Sequence, residues 1–250
     1  MWPDDNSIRL RGAVLVIISH EHKFIFIKTR KTAGTSIEIS LATICGDNDV
    51  ITPINRADES NRKSIGGLGP QNYHLPYSCY QYDDWLRLAY RRKRKQFRNH
   101  NTASEVRSNI DSEVWDSYFK FCFERNPFDK VVSHFYWLGG PEKFGSFEEY
   151  VQGGHLGLIK GYDAYSIDGV VAVDSVYRFE DLSGAMENIS AQLGLKETLS
   201  LPEQRAKSNT RDSSVHYEQV LSLEMKELVA TAFAREISLM GYECLGSENG

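Results

Sequence analysis

Residues Phe24 to Glu38 read FIFIKTRKTAGTSIE. Phe24-Ile25-Phe26-Ile27 has the β-branched and aromatic make-up of a buried strand. It breaks into the small, polar run Lys28 to Ser36 and then into helix-compatible residues, with Ile37, Leu41 and Ile44 spaced as an inner face. A strand, a tight turn and a helix start gather unpaired backbone N–H groups at one point, where the helix dipole is positive. Lys31 adds a full charge, Gly34 permits close approach, and Thr35 and Ser36 supply hydroxyls for a cap or for phosphate oxygens. The stretch is expected to hold a phosphate-like group; a plain helix cap is the alternative. It is not the ATP/GTP loop G-x-x-x-x-G-K-[ST], because Lys31 precedes Gly34 and the first glycine is missing.

Working outward, Gly12 to Ser19 reads as a strand joined to the first by the turn His20 to Lys23. The chain has 250 residues, 41% hydrophobic and 25% charged, which suits one α/β domain over 1–250 with a large core. No run approaches the ~20 apolar residues of a membrane span, and the N-terminal MWPDDNSIRLRG lacks a signal-peptide core. The expectation is a cytoplasmic protein with no membrane partner, an anchor upstream of this sequence staying open. Four scattered cysteines fit free thiols better than a metal site, and no metal is expected. Net charge is −5, but Arg87 to Arg98 carries seven of the 29 basic residues and no acidic one, leaving 22 basic against 34 acidic elsewhere. Such an acidic chain is a poor nucleic-acid binder. The basic run is either a solvated face or a patch that guides an anion.

Residues 46–75 read as one long polar loop around Gly66-Gly67-Leu68-Gly69-Pro70, and Tyr77 to Tyr90 as an aromatic-rich start of a helix. A second strand within Val114 to Glu124 ends at Arg125-Asn126-Pro127-Phe128-Asp129-Lys130-Val131-Val132-Ser133-His134-Phe135-Tyr136. Pro127 suits a first helical turn, so Arg125 stands at a strand–helix junction with Ser133 two turns along. A guanidinium fork and a hydroxyl there make a second anion site; the alternative is a structural arginine paired with a neighbouring carboxylate. Asp174 to Leu182 reads as a strand followed by an acidic helix start, and Tyr217 to Met240 as one amphipathic helix.

KTAGTS after an apolar strand resembles the 5′-phosphosulfate loop of sulfotransferases that use 3′-phosphoadenosine 5′-phosphosulfate (PAPS). FERNPFDKVVSHFYW resembles their 3′-phosphate segment, R-N-P-x-D-[RK]-x-x-S-x-[YF], and Arg178-Phe179-Glu180-Asp181-Leu182 resembles their R-[FY]-E-x-L element. The pairing of the two motifs, at 24–38 and 121–136, is similar to the carbohydrate-type sulfotransferase superfamily, over roughly 13–243 with a weak middle. The resemblance implies a three-layer, P-loop-like α/β fold with a central parallel sheet flanked by helices. It implies transfer of a sulfuryl group from PAPS to a hydroxyl or amine of a small metabolite or carbohydrate, without metal. Lys31 would stabilise the leaving oxygen, and Gly34, Thr35 and Ser36 would cradle the phosphosulfate, with Arg30, Thr32 and Ala33 completing that loop. Arg125 and Ser133 would hold the 3′-phosphate, and Lys207 and Arg211 of a later polar loop would close over the cofactor. His74, in the insert over about 46–112, would be the general base, an ordinary surface histidine being the alternative. The sequence departs from the pattern at Arg30, where relatives often have proline, and at Glu124, expected to orient Arg125 through a salt bridge. A small-metabolite kinase using ATP and a non-catalytic binding module are the other functional readings.

Overall fold

The computed structural model describes residues 16–97, 101–202 and 217–243. Val16–Ser19 (β1) and Phe24–Ile27 (β2) form an antiparallel hairpin, with Val16 opposite Ile27 and Ser19 opposite Phe24. Every residue of both is buried, as uninterrupted apolar runs require. Asp49 closes the turn by accepting from the Ser19 hydroxyl at 2.7 Å and from the His20 N–H at 2.6 Å. After the loop 28–33 comes Gly34–Leu41 (α1), and then the short strand Val50–Ile51 (β3), antiparallel to β1.

The segment 46–75 is not one loop. It contains β3 and the helix Arg56–Ser64 (α2). This helix has almost no apolar face, and capping and charge define it instead: Asn55 accepts from the Asp58 N–H at 2.9 Å, Asp58 and Glu59 sit in its first turn, and Arg62 and Lys63 in its last. Tyr82–Arg91 (α3), Ala103–Arg107 (α4) and Ser112–Ser117 (α5) follow. Phe119–Glu124 (β4) then lies parallel to β2, with Ile27 opposite Cys122, and Pro127–Trp137 (α6) leaves its end. Gly140–Phe144 (α7), Phe147–Gln152 (α8) and Tyr162–Tyr165 (α9) lead to a small hairpin of Ser166–Ile167 (β5) and Val170–Val171 (β6). Ser175–Arg178 (β7) pairs parallel with β4, and Leu182–Gln192 (α10) follows.

The sheet order is β3-β1-β2-β4-β7. The expected parallel sheet is present in β2, β4 and β7, and the hairpin partner β1 with β3 adds an antiparallel side. Alternation along the strands loads both faces. Phe24, Phe26, Phe121 and Phe123 pack against Ile37, Leu41, Met186 and Ile189 of α1 and α10. Ile25, Ile27 and Cys122 pack on the other side against Val106, Trp115 and Tyr165. Helices therefore cover both faces in three layers.

The stretch Tyr217 to Met240 is three helices, Tyr217–Val220 (α11), Leu223–Ala232 (α12) and Ala234–Met240 (α13). Ser222 starts the second as a cap, accepting from the Met225 N–H at 3.2 Å, and Phe233 breaks the third away at ψ 25°. Their apolar residues, including Val229 and Phe233, pack on Phe128, Val131 and Phe135 of α6.

Candidate active site

Parallel neighbours β2 and β4 end side by side, so the turns that leave them share one rim of the sheet, the usual ligand crevice of open α/β sheets. The first turn is left-handed at Lys31 (φ 64°) and Ala33 (φ 55°), which coils the backbone into the start of α1. No side chain caps α1 and no acidic residue lies in its first turn, so its leading N–H groups face the crevice unneutralised. Thr29 fastens the loop to the second motif: its hydroxyl donates to the Phe123 carbonyl and lies 3.0 Å from the Thr32 hydroxyl.

Arg125 joins the two motifs. Its Nη1 donates to the Lys31 carbonyl at 3.1 Å and to Ser133 Oγ at 3.3 Å. Its Nε donates to Asp129 at 2.8 Å, Nη2 donates to the same carboxylate, and the guanidinium stacks 4.2 Å from the Phe179 ring centroid. Arg125 thus pairs with a neighbouring carboxylate, and Ser133 converges on the same guanidinium. Ser133 accepts from Arg125 and so keeps its own proton to donate. The Lys31 ammonium lies over the Trp137 ring at 5.3 Å, on the α6 side of the loop. Arg30 is half-buried, and burial pulls its guanidinium below the ordinary value.

One expectation changes. Glu124 does not pair with the Arg125 guanidinium. It is fully buried and binds Lys130 Nζ at 2.6 Å, because alternation along β4 turns it to the face opposite Phe123, where Tyr165 also donates to it at 3.3 Å. Burial pushes this carboxyl up, with Lys130 opposing. Gly34 does more than admit an anion: a Cβ there would stand 2.5 Å from Lys28 Cγ, so the glycine leaves room for a buried lysine. His74 is exposed, and its recorded partners are in its own insert, the Tyr73 ring at 4.5 Å and an isolated bridge to Gln96. Lys207 and Arg211 lie outside the described residues.

Lys28 is the residue that sequence reasoning passed over. It is buried under the loop and donates to Thr35 Oγ1 at 3.0 Å and to Glu38 at 2.8 Å. Since an ammonium only donates, Thr35 Oγ1 is the acceptor, and the threonine proton is left to point elsewhere. Glu38 is wholly buried, and burial, only partly offset by Lys28 and Arg62, raises its carboxyl to about 7. The signal was present: Lys28 ends an all-apolar strand and Glu38 lies between two isoleucines, so the two share an interior. The arginine of the third motif is structural, Arg178 donating to the Met240 carbonyl and stacking on Tyr242. Glu180 accepts from the Asn126 N–H at 2.7 Å and so steadies the start of α6.

A family model described as Sulfotransferase family matches residues 15–154, which include both motifs. The chain belongs to the sulfotransferase family. Among its relatives, an uncharacterized protein of Archaeoglobus fulgidus is 31% identical over 104 residues, 38% of this chain and 82% of that protein. A crystal structure of a sulfotransferase from Alicyclobacillus acidocaldarius aligns over 88% of this chain and 96% of its own, at 18% identity and a TM-score of 0.40. Within this sulfotransferase, the loop after β2 and the arginine after β4 meet at one rim of the sheet through the Arg125–Lys31 contact.

Proposed function

We propose that this sulfotransferase takes its sulfuryl group from PAPS and passes it to a hydroxyl or amine of a small metabolite or carbohydrate. The observation that supports this most directly is Arg125 reaching the Lys31 carbonyl and the Ser133 hydroxyl at once. A donor with phosphates at both its 3′ and 5′ positions needs two anion sites a nucleoside apart, and the two motifs offer one each. The donor set fits such a molecule: uncapped N–H groups and hydroxyls at α1, and a fork with a hydroxyl at α6.

When bound, the donor supplies an activated sulfuryl group with a bisphosphate to leave. The protein's share is positioning and charge, as in phosphoryl transfer. The α1 N–H groups with Gly34, Thr35 and Ser36 would hold the 5′ end, and Arg125 with Ser133 the 3′ end. Lys31, on the left-handed turn between them, would offset the charge that builds on the leaving oxygen. For the acceptor's proton we keep His74, an exposed imidazole of the insert. Its replacement by alanine is expected to lower turnover while bisphosphate affinity stays unchanged; unaltered turnover would remove it from the mechanism.

Calorimetry tests the donor. 3′,5′-Adenosine bisphosphate should bind, and bind far more weakly to Arg125→Ala. A preference for ATP with magnesium would overturn the proposal in favour of a kinase.

A further inference from the structure

Helix α3 is amphipathic and inverted. None of its residues is buried. At 100° per residue, Trp85, Ala89, Tyr82, Leu86 and Tyr90 fall on one arc, and all five are exposed. The half-buried residues Asp84, Arg87 and Leu88 lie on the opposite side, with Asp84 held to Lys95 at 3.0 Å. An ordinary surface helix does the reverse. Tyr82 is 76% and Tyr90 84% exposed, while Trp85 at one edge of the arc also packs against Tyr80 at 5.1 Å. Tyr77 stacks on Trp85 at 5.6 Å and widens the patch.

The helix ends at Arg91 with a left-handed Arg92 (φ 49°) as its cap, and Arg91-Arg92-Lys93-Arg94 are four exposed cations in a chain that is acidic as a whole. Asp83 is the one acidic side chain at the edge of the outer arc, at the far end of the helix from this run. We propose that α3 docks on the headgroup layer of an anionic lipid bilayer, with Trp85, Leu86 and Tyr90 at the acyl boundary and the basic run on the lipid phosphates. An apolar arc joined to a cationic stretch, with Tyr and Trp at its margins, is the composition of interfacial helices. A second copy of the chain, with its α3 antiparallel to this one, is the competing occupant that the test below separates. A saccharide is a poorer occupant, because the patch is a convex helix face rather than a cleft lined with convergent polar groups. The proposal runs against the expectation of no membrane partner, and it needs no spanning helix: none among the described residues is long and apolar enough to cross a membrane.

Vesicle co-sedimentation tests the proposal. The full chain should pellet with phosphatidylcholine–phosphatidylserine vesicles at ~0.1 M salt and be released at ~1 M. Pure phosphatidylcholine should retain at least ten-fold less. Replacing Arg91, Arg92, Lys93 and Arg94 together by Gln should weaken binding ten-fold or more. The exposed pair Leu86→Ser/Tyr90→Ser should also weaken it, with the charges and the melting temperature intact. No binding, equal binding to both vesicles, or full binding by the Ser pair would overturn it. So would a dimer that the Ser pair disperses, which would make the patch a self-association surface.

Discussion

Arg125 Nη1 donates to the carbonyl of Lys31 across 3.1 Å, so the loop after β2 is pinned by the arginine that follows β4. Replacement by lysine keeps the charge and the contact with Asp129 within reach, but loses the fork that spans Lys31, Ser133 and Asp129 simultaneously. A hydrogen bond to a charged group is worth about 1.5–3 kcal/mol. Arg125→Lys should therefore weaken 3′,5′-adenosine bisphosphate roughly ten- to a hundred-fold. Titration calorimetry checks this, and wild-type affinity in the variant would mean that the arginine only ties the loops together.

Lys28 and Glu38 form a buried pair directly beneath the loop. Lys28→Met leaves Glu38 without its partner and should cost about 3–5 kcal/mol, while Lys28→Met/Glu38→Leu should recover most of that. Activity should not recover with it, because Thr35 Oγ1 still lacks the donor that orients its proton. Thermal melting paired with single-turnover rates separates the two effects. A double variant that turns over like wild type would reduce Lys28 to a packing residue.

Strands β1, β2, β4 and β7 were legible from their apolar and aromatic residues, and the turns after β2 and β4 from the small-residue run and Pro127 that follow them, whereas the two-residue strands β3, β5 and β6 are too short to carry a pattern. Helix α2 was not legible, since its polar residues carry no 3.6-residue apolar period and only its caps and end charges announce it. The break at Ser222 was hidden for the opposite reason: the apolar period runs on through it, and a serine within such a period reads as a surface position until its hydroxyl is seen on the Met225 N–H. At the candidate site, the residues of the two motifs were readable from their spacing. Those that act from below, Lys28 on Thr35 and Glu180 on Asn126, depend on contacts between segments distant in sequence or on which way a buried side chain turns.

Gly161 tests how tightly the support beneath β4 is packed. A Cβ there would lie 1.9 Å from Glu124 Oε2 and 3.0 Å from Lys130 Nζ, both of them fully buried, while its N–H donates to Glu236 at 3.0 Å. Overpacking typically costs about 1–3 kcal/mol, and here the atom displaced belongs to a buried ion pair. Gly161→Ala should fall at or above the upper end of that range in urea unfolding. A change within about 0.5 kcal/mol, the span of ordinary surface substitutions, would show that the Glu124–Lys130 pair can shift.

His134 sets an acid limit on the fold. It is 1% exposed between Tyr150, whose hydroxyl lies 2.6 Å from Nδ1, and the stacked Trp137, and Nε2 has no partner among the described residues. Burial first, then the nearby charges of Lys31 and Arg30, lowers its pKa to about 3. Between that value and the ordinary 6.5 the unfolded chain carries one proton more than the folded one. Stability from this group is therefore complete above about pH 6.5 and drains away as pH falls toward 3, by up to about 1.4 kcal/mol per pH unit. His134→Phe alone would strand the Tyr150 hydroxyl, whereas His134→Phe/Tyr150→Phe removes both partners and should be nearly neutral at pH 7. Urea midpoints followed from pH 7 to pH 4 should fall less steeply in the double variant than in the wild type. Parallel slopes would mean that His134 is protonated in the folded protein and that its site is wetter than its burial implies.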